Sequence, residues 1–342
     1  MTQPTTRRTV LLVSLTGDEA IKLYDLDSIT GALTLRTVSP AHGPSGTLWL
    51  HPNHKVLYDA HVESSTLAAF TFDATSGEIA LINKVETGIE TPAHLITDHN
   101  GRFLLTAYYT GGGITVHRLG ADGAIGELVQ TINSGEKAHA VLSAVEDRFI
   151  FVPHVCPVNK TSQFRFDAVT GKLTPNDPTE VVPPEEYTGP RHACIGPKGD
   201  VVYIVNEQGN SVTAHRFDRE QGILTPFQTV STLPAHYSEG GYTAHIEVHP
   251  NGKWLYASNR GHDSIVGFNL ASDGSIQPFG YYPVPASPRS FNIDPTGNYL
   301  YCAGEAADTM TAYRVDPSSG ALQPIADYAV GKSPFWVMSL TI

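Results

Sequence analysis

Cysteine is scarce in this chain of 342 residues: there are three, Cys156, Cys194 and Cys302, scattered and without CxxC spacing. An odd number so placed makes neither a disulfide frame nor a thiolate metal site, and fits reduced thiols. Charge is also sparse, at 16% of residues, and the formal net charge is −12. That balance argues against a nucleic acid or an anionic membrane as partner, since either needs a basic surface. Helical periodicity of useful length is missing throughout. After Arg7 and Arg8 only a short apolar stretch follows, ending at Leu15; a secretory core needs about 7–15 apolar residues. No signal is expected, and the cytoplasm is the expected location. The chain also lacks a G-x-S-x-G elbow, which argues against an acyl-serine intermediate. It has no close HxH or HExxH spacing for zinc.

What is present is repetition. The hydrophobic fraction of 41% supplies a core, and one turn motif recurs seven times: DSITGAL (27–33), DATSGEI (73–79), GADGAI (120–125), DAVTGKL (167–173), DREQGIL (218–224), ASDGSI (271–276) and DPSSGAL (316–322). Its glycines, at 31, 77, 123, 171, 222, 274 and 320, are spaced by 46 to 52 residues. That period is typical of propeller blades, about 40–50 residues each. A glycine held at one place in each turn predicts a hairpin position with positive φ. A second turn family, including HPNHK (51–55), DHNGR (98–102), GPKGD (196–200), HPNGK (249–253) and DPTGN (294–298), occupies the other half of the repeats. β-rich runs such as Val201–Val205 and Trp254–Ser258 flank these turns, so each repeat predicts four short strands.

The predicted fold is all-β: a seven-bladed β-propeller of four-stranded blades, forming one domain over residues 1–342 with residues 1–8 as a flexible tail. Only two strand candidates, Thr9–Ser14 and Ile21–Leu26, precede the first shared turn, and the last segment, 333–342, reads as an opening strand with nothing after it. The C-terminal strand is therefore expected to complete the N-terminal blade and close the ring. A monomer is the default.

In a blade the start of the innermost strand and the end of the second lie at the same face, near the channel mouth. About 15 residues should separate them. The sequence offers His94 with Tyr109, His139 with His154, Arg191 with Glu207, His245 with Arg260 and Arg289 with Glu305. Any single member fits a structural role, and Arg191 with Glu207 equally fits an ion pair within a blade. As a cluster they describe a receptor for a small anion, because arginine recognises carboxylate or phosphate bidentately. His61 also approaches the mouth, but these histidines lack metal-ligand spacing, and neither a metal nor another cofactor is expected.

The run HPNGKWLYASNRGHDSI (249–265) closely resembles the hallmark stretch of the 6-phosphogluconolactonase-like propeller family. The segments 92–119, 189–218 and 287–301 resemble other blades of the same family, so the likeness spans nearly the whole chain. The family includes lactonases and, more distantly, the carboxymuconate lactonizing enzyme. The resemblance implies that His139 in KAHAV, Arg191 in GPRH, Glu207 in VNE and Arg260 in SNRGHDS carry the chemistry. His192, Arg289, His94, Tyr109, His154 and His245 are the candidates for binding substrate. Two stretches depart from the family pattern at the expected mouth, Pro153–Pro157 and Ala60–His61. The expected activity is hydrolysis of an anionic sugar-acid lactone, phosphorylated or not, in carbohydrate metabolism. A cycloisomerase and a non-catalytic binding propeller are the alternatives.

Overall fold

The computed structural model describes residues 8–342; residues 1–7, most of the expected tail, lie outside the described residues. Arg8 is tied to the ring. Its backbone exchanges two hydrogen bonds with Ile342 (3.1 and 2.8 Å), and its guanidinium pairs with Asp25. Among the described residues every regular element is a strand. The 28 strands, β1–β28 in chain order, form seven antiparallel sheets of four. Six blades use consecutive strands, the innermost first. The remaining blade runs β28 (Pro334–Thr341), β1 (Thr9–Leu15), β2 (Ala20–Leu26), β3 (Leu33–Pro40), so the last strand lines the channel and closes the ring as expected.

Burial follows position in the blade. Second strands such as β17 (Val201–Asn206) and β9 (Phe103–Tyr108) are buried along their whole length, because each blade is covered by a neighbour on both faces. Their sequences are correspondingly near-continuous apolar runs. Outer strands such as β3 are mostly exposed or half-buried. The core lies between blades: Val205, Val212 and Ala214 of one blade pack with Leu255, Val266 and Phe268 of the next. Full burial of one such side chain contributes roughly 1.5–3 kcal/mol.

Both repeated turns also fasten neighbouring blades. Tyr58, Tyr203, Tyr256 and Tyr301, each on a second strand, donate their hydroxyl to the carbonyls of Gly123, Gly274, Gly320 and Gly31 in the next blade (2.7–3.0 Å). Gly31 has φ of 76° and a Cβ there would sit 2.4 Å from the Tyr299 ring, so the turn needs glycine for conformation and for closeness. In the other family, His51 and His249 donate through Nε2 to the carbonyls of Gly101 and Gly297 (2.9 and 2.7 Å). Those two histidines are therefore fasteners.

Candidate active site

Inner strands share an irregularity at their start. In β16 (Pro190–Ile195), Pro190 pairs with Asn206 but Ala193 pairs with Ile204, so Arg191 and His192 stand opposite Val205 alone. The same extra residue occurs in β8 (Pro92–Thr97), β20 (Tyr242–Val248) and β24 (Pro288–Ile293). Such a bulge re-aims the side chains around it. It creates two tiers. The residue after the last one paired before the bulge is Ala93, His139, Arg191, Ala244, Arg289 or Phe335 in six of the blades; the next is His94, Ala140, His192, His245, Ser290 or Trp336.

The first tier meets a cavity of about 360 Å³ lined by Tyr109, His139, Glu207, Arg260, Arg289 and Phe335, with Val62, Thr91, Ala93 and Thr110. Glu207 follows the end of β17, where its backbone N–H donates to the Gly189 carbonyl (2.6 Å). Its Oε2 accepts from Arg191 Nε at 2.7 Å and lies 3.2 Å from Arg260 Nη2. Arg191 is 1% exposed and stands behind the carboxylate, its Nη1 donating to the Ala244 carbonyl and to His192 Nε2. Burial, then the charge of Arg260, pulls the Arg191 guanidinium down from its ordinary range, and Glu207 opposes this. Arg289 pairs loosely with Glu305 (3.5 Å) and lies over the Phe335 ring. His139 stacks edge-on with Tyr109, with ring centres 5.6 Å apart. Burial, then Arg191 and Arg289, holds the His139 imidazole well below its usual range, so it is neutral.

The second tier forms a layer of rings across the channel. His192 lies 5.1 Å from His139, 5.1 Å from His245, 5.6 Å from His94 and 5.8 Å from Trp336, centre to centre. His94, His192, His245 and Trp336 line a second cavity, of about 700 Å³, that also meets the far ends of inner strands at Leu50, Thr97, Ala144 and Ile195. The cavity therefore lies toward the opposite end of the channel from Glu207. Burial pushes the His94 imidazole down to about 3 and His192 well below its usual range. Among the described residues no three His, Cys, Asp or Glu side chains are grouped to hold a metal ion.

Of the residues singled out from sequence, His139, Glu207, Arg260, Arg289 and Tyr109 meet in one cavity, with Arg191 directly behind. His94, His192 and His245 were expected at the same mouth; they lie one residue further along their strands and face the other cavity. His154 also differs from expectation. It occupies the register of Asn206, one residue short of the mouth, and is fully buried within its blade. There its Nδ1 donates to the Glu136 carbonyl (2.8 Å) and its Nε2 meets Ser162 Oγ (3.3 Å). Two supporting residues escaped the sequence reading. Gln208 donates to Glu207 Oε1 (3.2 Å) and accepts from the Cys156 backbone N–H, so the atypical stretch 153–157 braces the carboxylate. Asp263 accepts from the backbone of Gly261 and Ser287, joining the turns beside Arg260 and Arg289. Aligning the repeats on the residue before each bulge would have sorted the tiers; Gln208 and Asp263 carry no such signal.

Comparison with known proteins agrees with this architecture. Residues 9–339 match the model of the family described as lactonase, 7-bladed β-propeller. A 6-phosphogluconolactonase of Pectobacterium carotovorum is 31% identical over 338 residues, covering 97% of this chain and 99% of its own. One from Pectobacterium atrosepticum is 30% identical over the same length, with the same coverage. Among solved structures, a Bacteroides fragilis protein described provisionally as a 6-phosphogluconolactonase superposes with a TM-score of 0.90 at 26% identity, covering 99% of this chain and all of its own. The periplasmic gluconolactonase of Pseudomonas aeruginosa shares the fold, with a TM-score of 0.89 at 23% identity and coverage of 98% and 99%. With the family model matched almost end to end and relatives at this identity over nearly full length, the chain belongs to the seven-bladed β-propeller lactonase family.

Proposed function

We propose that the cavity around Glu207 hydrolyses the lactone of an anionic sugar acid, one bearing a carboxylate or a phosphate. One observation carries this reading. His139 Nδ1, Arg260 Nε and Arg289 Nε are buried without a protein partner, and all three residues line the same cavity. The two guanidinium N–H groups can only donate, so leaving them unpaired is costly, and an anion in the cavity is the ligand that complements them. Three guanidiniums against Glu207 and Glu305 leave the region one positive charge to the good, although the chain as a whole is strongly acidic. The volume lies at the small end of ligand sites, which span about 300–1,000 Å³.

Opening a lactone needs an activated water, a counter-charge for the carbonyl oxygen and a proton for the departing alkoxide. Glu207 accepts the proton from the attacking water as the C–O bond forms, and returns it to the ring oxygen as the old C–O bond breaks. Arg260 offsets the charge growing on the carbonyl oxygen. A unit pair at 4 Å is worth about 4 kcal/mol at an effective dielectric near 20. Neutral His139 donates a hydrogen bond to the carbonyl or relays the proton, and Arg289 holds the anionic group. Arg191 has Nε and Nη1 committed to protein partners, so its part is to orient Glu207. Gluconolactone phosphate, on which the Pectobacterium relatives' names are based, belongs to this substrate class. The atypical 153–157 stretch beside Gln208 leaves room for an unphosphorylated member.

A pH-stat assay over a lactone panel tests the reading: phosphorylated gluconolactone, an aldaric-acid lactone and uncharged gluconolactone. Acid release with preference for the anionic lactones supports it. No release from any, or equal turnover of the uncharged compound, refutes it.

A further inference from the structure

Behind Arg191 a line of hydrogen bonds crosses the channel. Arg191 Nη1 donates to His192 Nε2 (3.2 Å); His192 Nδ1 meets His245 Nδ1 (2.8 Å); His245 Nε2 meets Glu247 Oε1 (3.2 Å). Glu247 is anchored in turn, accepting from Asn292 Nδ2 (2.8 Å) and from the Ile293 backbone N–H (2.9 Å). It lines the second cavity, so the array begins in one cavity and ends in the other.

The ends of the array determine every proton within it. Guanidinium only donates and carboxylate only accepts. Since Arg191 gives a proton to His192 Nε2, that nitrogen carries none, and the hydrogen of His192 sits on Nδ1. It is donated to His245 Nδ1, which must be bare, leaving the hydrogen of His245 on Nε2, aimed at Glu247. Reversing either ring would set two donors or two acceptors face to face. Burial, with Arg191 adding repulsion, keeps His192 neutral, as the chain requires.

We propose that Glu247, His245 and His192 are positioning residues, which hold Arg191 at the angle that orients Glu207 for the chemistry. None of the three lines the Glu207 cavity, so each acts through Arg191. The inference rests on the lactonase reading for its kinetic consequence and on the geometry alone for its tautomers. Glu247→Gln breaks the logic without changing volume. If the amide oxygen faces His245, the amide N–H₂ confronts the Ile293 N–H. If it is turned, His245 must donate through Nδ1, His192 must donate through Nε2, and that proton meets the Arg191 guanidinium.

The test is carried out on the full chain with ¹⁵N-labelled histidine. Long-range ¹H–¹⁵N spectra at neutral pH are expected to show His192 protonated on Nδ1 and His245 on Nε2. Glu247→Gln is expected to shift these tautomers and, while the protein stays folded, to lower kcat/KM on the order of 10²-fold, the scale of a small misplacement of a catalytic group. A purely structural role would leave kcat/KM of the folded variant as it was. His192 protonated on Nε2 in the unmodified protein overturns the proposal, and that measurement needs no variant to fold. So does a Glu247→Gln protein with altered tautomers and unchanged kcat/KM. The expected tautomers in a protein that turns over no lactone would retire the hydrolase reading and leave the array standing.

Discussion

Arg191 and Glu207 are sixteen residues apart in sequence and 2.7 Å apart in space, Nε to Oε2, with the arginine almost wholly out of solvent. Removing two charges from water costs several kcal/mol for each ion unless the geometry restores their hydrogen bonds. Here the carboxylate accepts a hydrogen bond on each oxygen, from Arg191 on one and Gln208 on the other, and Arg260 Nη2 adds an ion-pair contact at 3.2 Å. A bulge opposite Val205 makes this possible, turning Arg191 toward the cavity side while His192 faces the other way.

Glu207→Gln keeps the shape of that arrangement and removes the proton acceptor. Positioned proton transfer typically contributes 10²–10⁴-fold, so about that loss in kcat is expected on the preferred lactone. Normal turnover by a clean preparation of the variant would show that another group activates the water.

Arg191→Met leaves Glu207 buried with Arg260 alone. Removing one member of a buried ion pair typically costs about 3–5 kcal/mol, so urea denaturation should show a loss of that order. Because Glu207 keeps a second guanidinium, the lower end is the expectation. Adding Glu207→Gln to Arg191→Met should cost less than the two single changes together, as contacting residues are not additive. Strict additivity would mean that the two side chains do not act as a unit.

Much of this was legible in the sequence because the repeat constrains it so tightly. Seven turn glycines fixed the blade count, and the unmatched strand at 333–342 required closure against β1. Arg191, Glu207 and Arg260 followed from spacing and from the family likeness. The extra residue in each inner strand was not legible, since a bulge leaves no mark in composition. Spacing therefore put His94 and His245 with Arg191, though each stands one position beyond its tier, as does His192, the candidate named beside Arg191. His154 failed by one residue in the other direction: Val155, not His154, is the counterpart of Glu207. A side-chain period of two turns a slip of one residue into the opposite destination.

The tyrosine fasteners make a prediction about the scaffold. Tyr256 is fully buried and its hydroxyl donates to Gly320 of the next blade at 2.7 Å. Tyr256→Phe keeps the ring and removes the donor, leaving one carbonyl without that bond, at a cost of about 0.5–1.5 kcal/mol. Lactone turnover should be unaffected, because Tyr256 lines neither cavity. A variant as stable as the parent would show that ring packing alone carries the inter-blade contact.

Buried neutral imidazoles should make the fold sensitive to acid. Burial pushes His94 down to about 3 and His61, His154 and His215 to about 4, and holds His139 and His192 well below their usual range. An unfolded histidine titrates near 6.5. Between the folded and unfolded values the unfolded chain binds protons that the folded chain refuses, so stability rises with pH across that window and is lost as pH falls below about 6.5. Asp59 has the opposite sign: burial raises its carboxyl to about 7, so its contribution is present at low pH and is lost as pH rises through that value. One group working against several histidines does not reverse the trend. Each fully suppressed imidazole contributes at most about 1.4 kcal/mol per pH unit, and several acting together should lower the urea midpoint steeply between pH 6.5 and 4 at constant ionic strength. A midpoint that stays level from pH 7 to pH 5 would contradict the neutral ring layer. Since His94 and His192 belong to the ring layer that separates the two cavities and His139 lines the Glu207 cavity, protonating any of them would put an uncompensated charge beside Arg191 or within the ring stack, so turnover should fail over the same acid range as the fold.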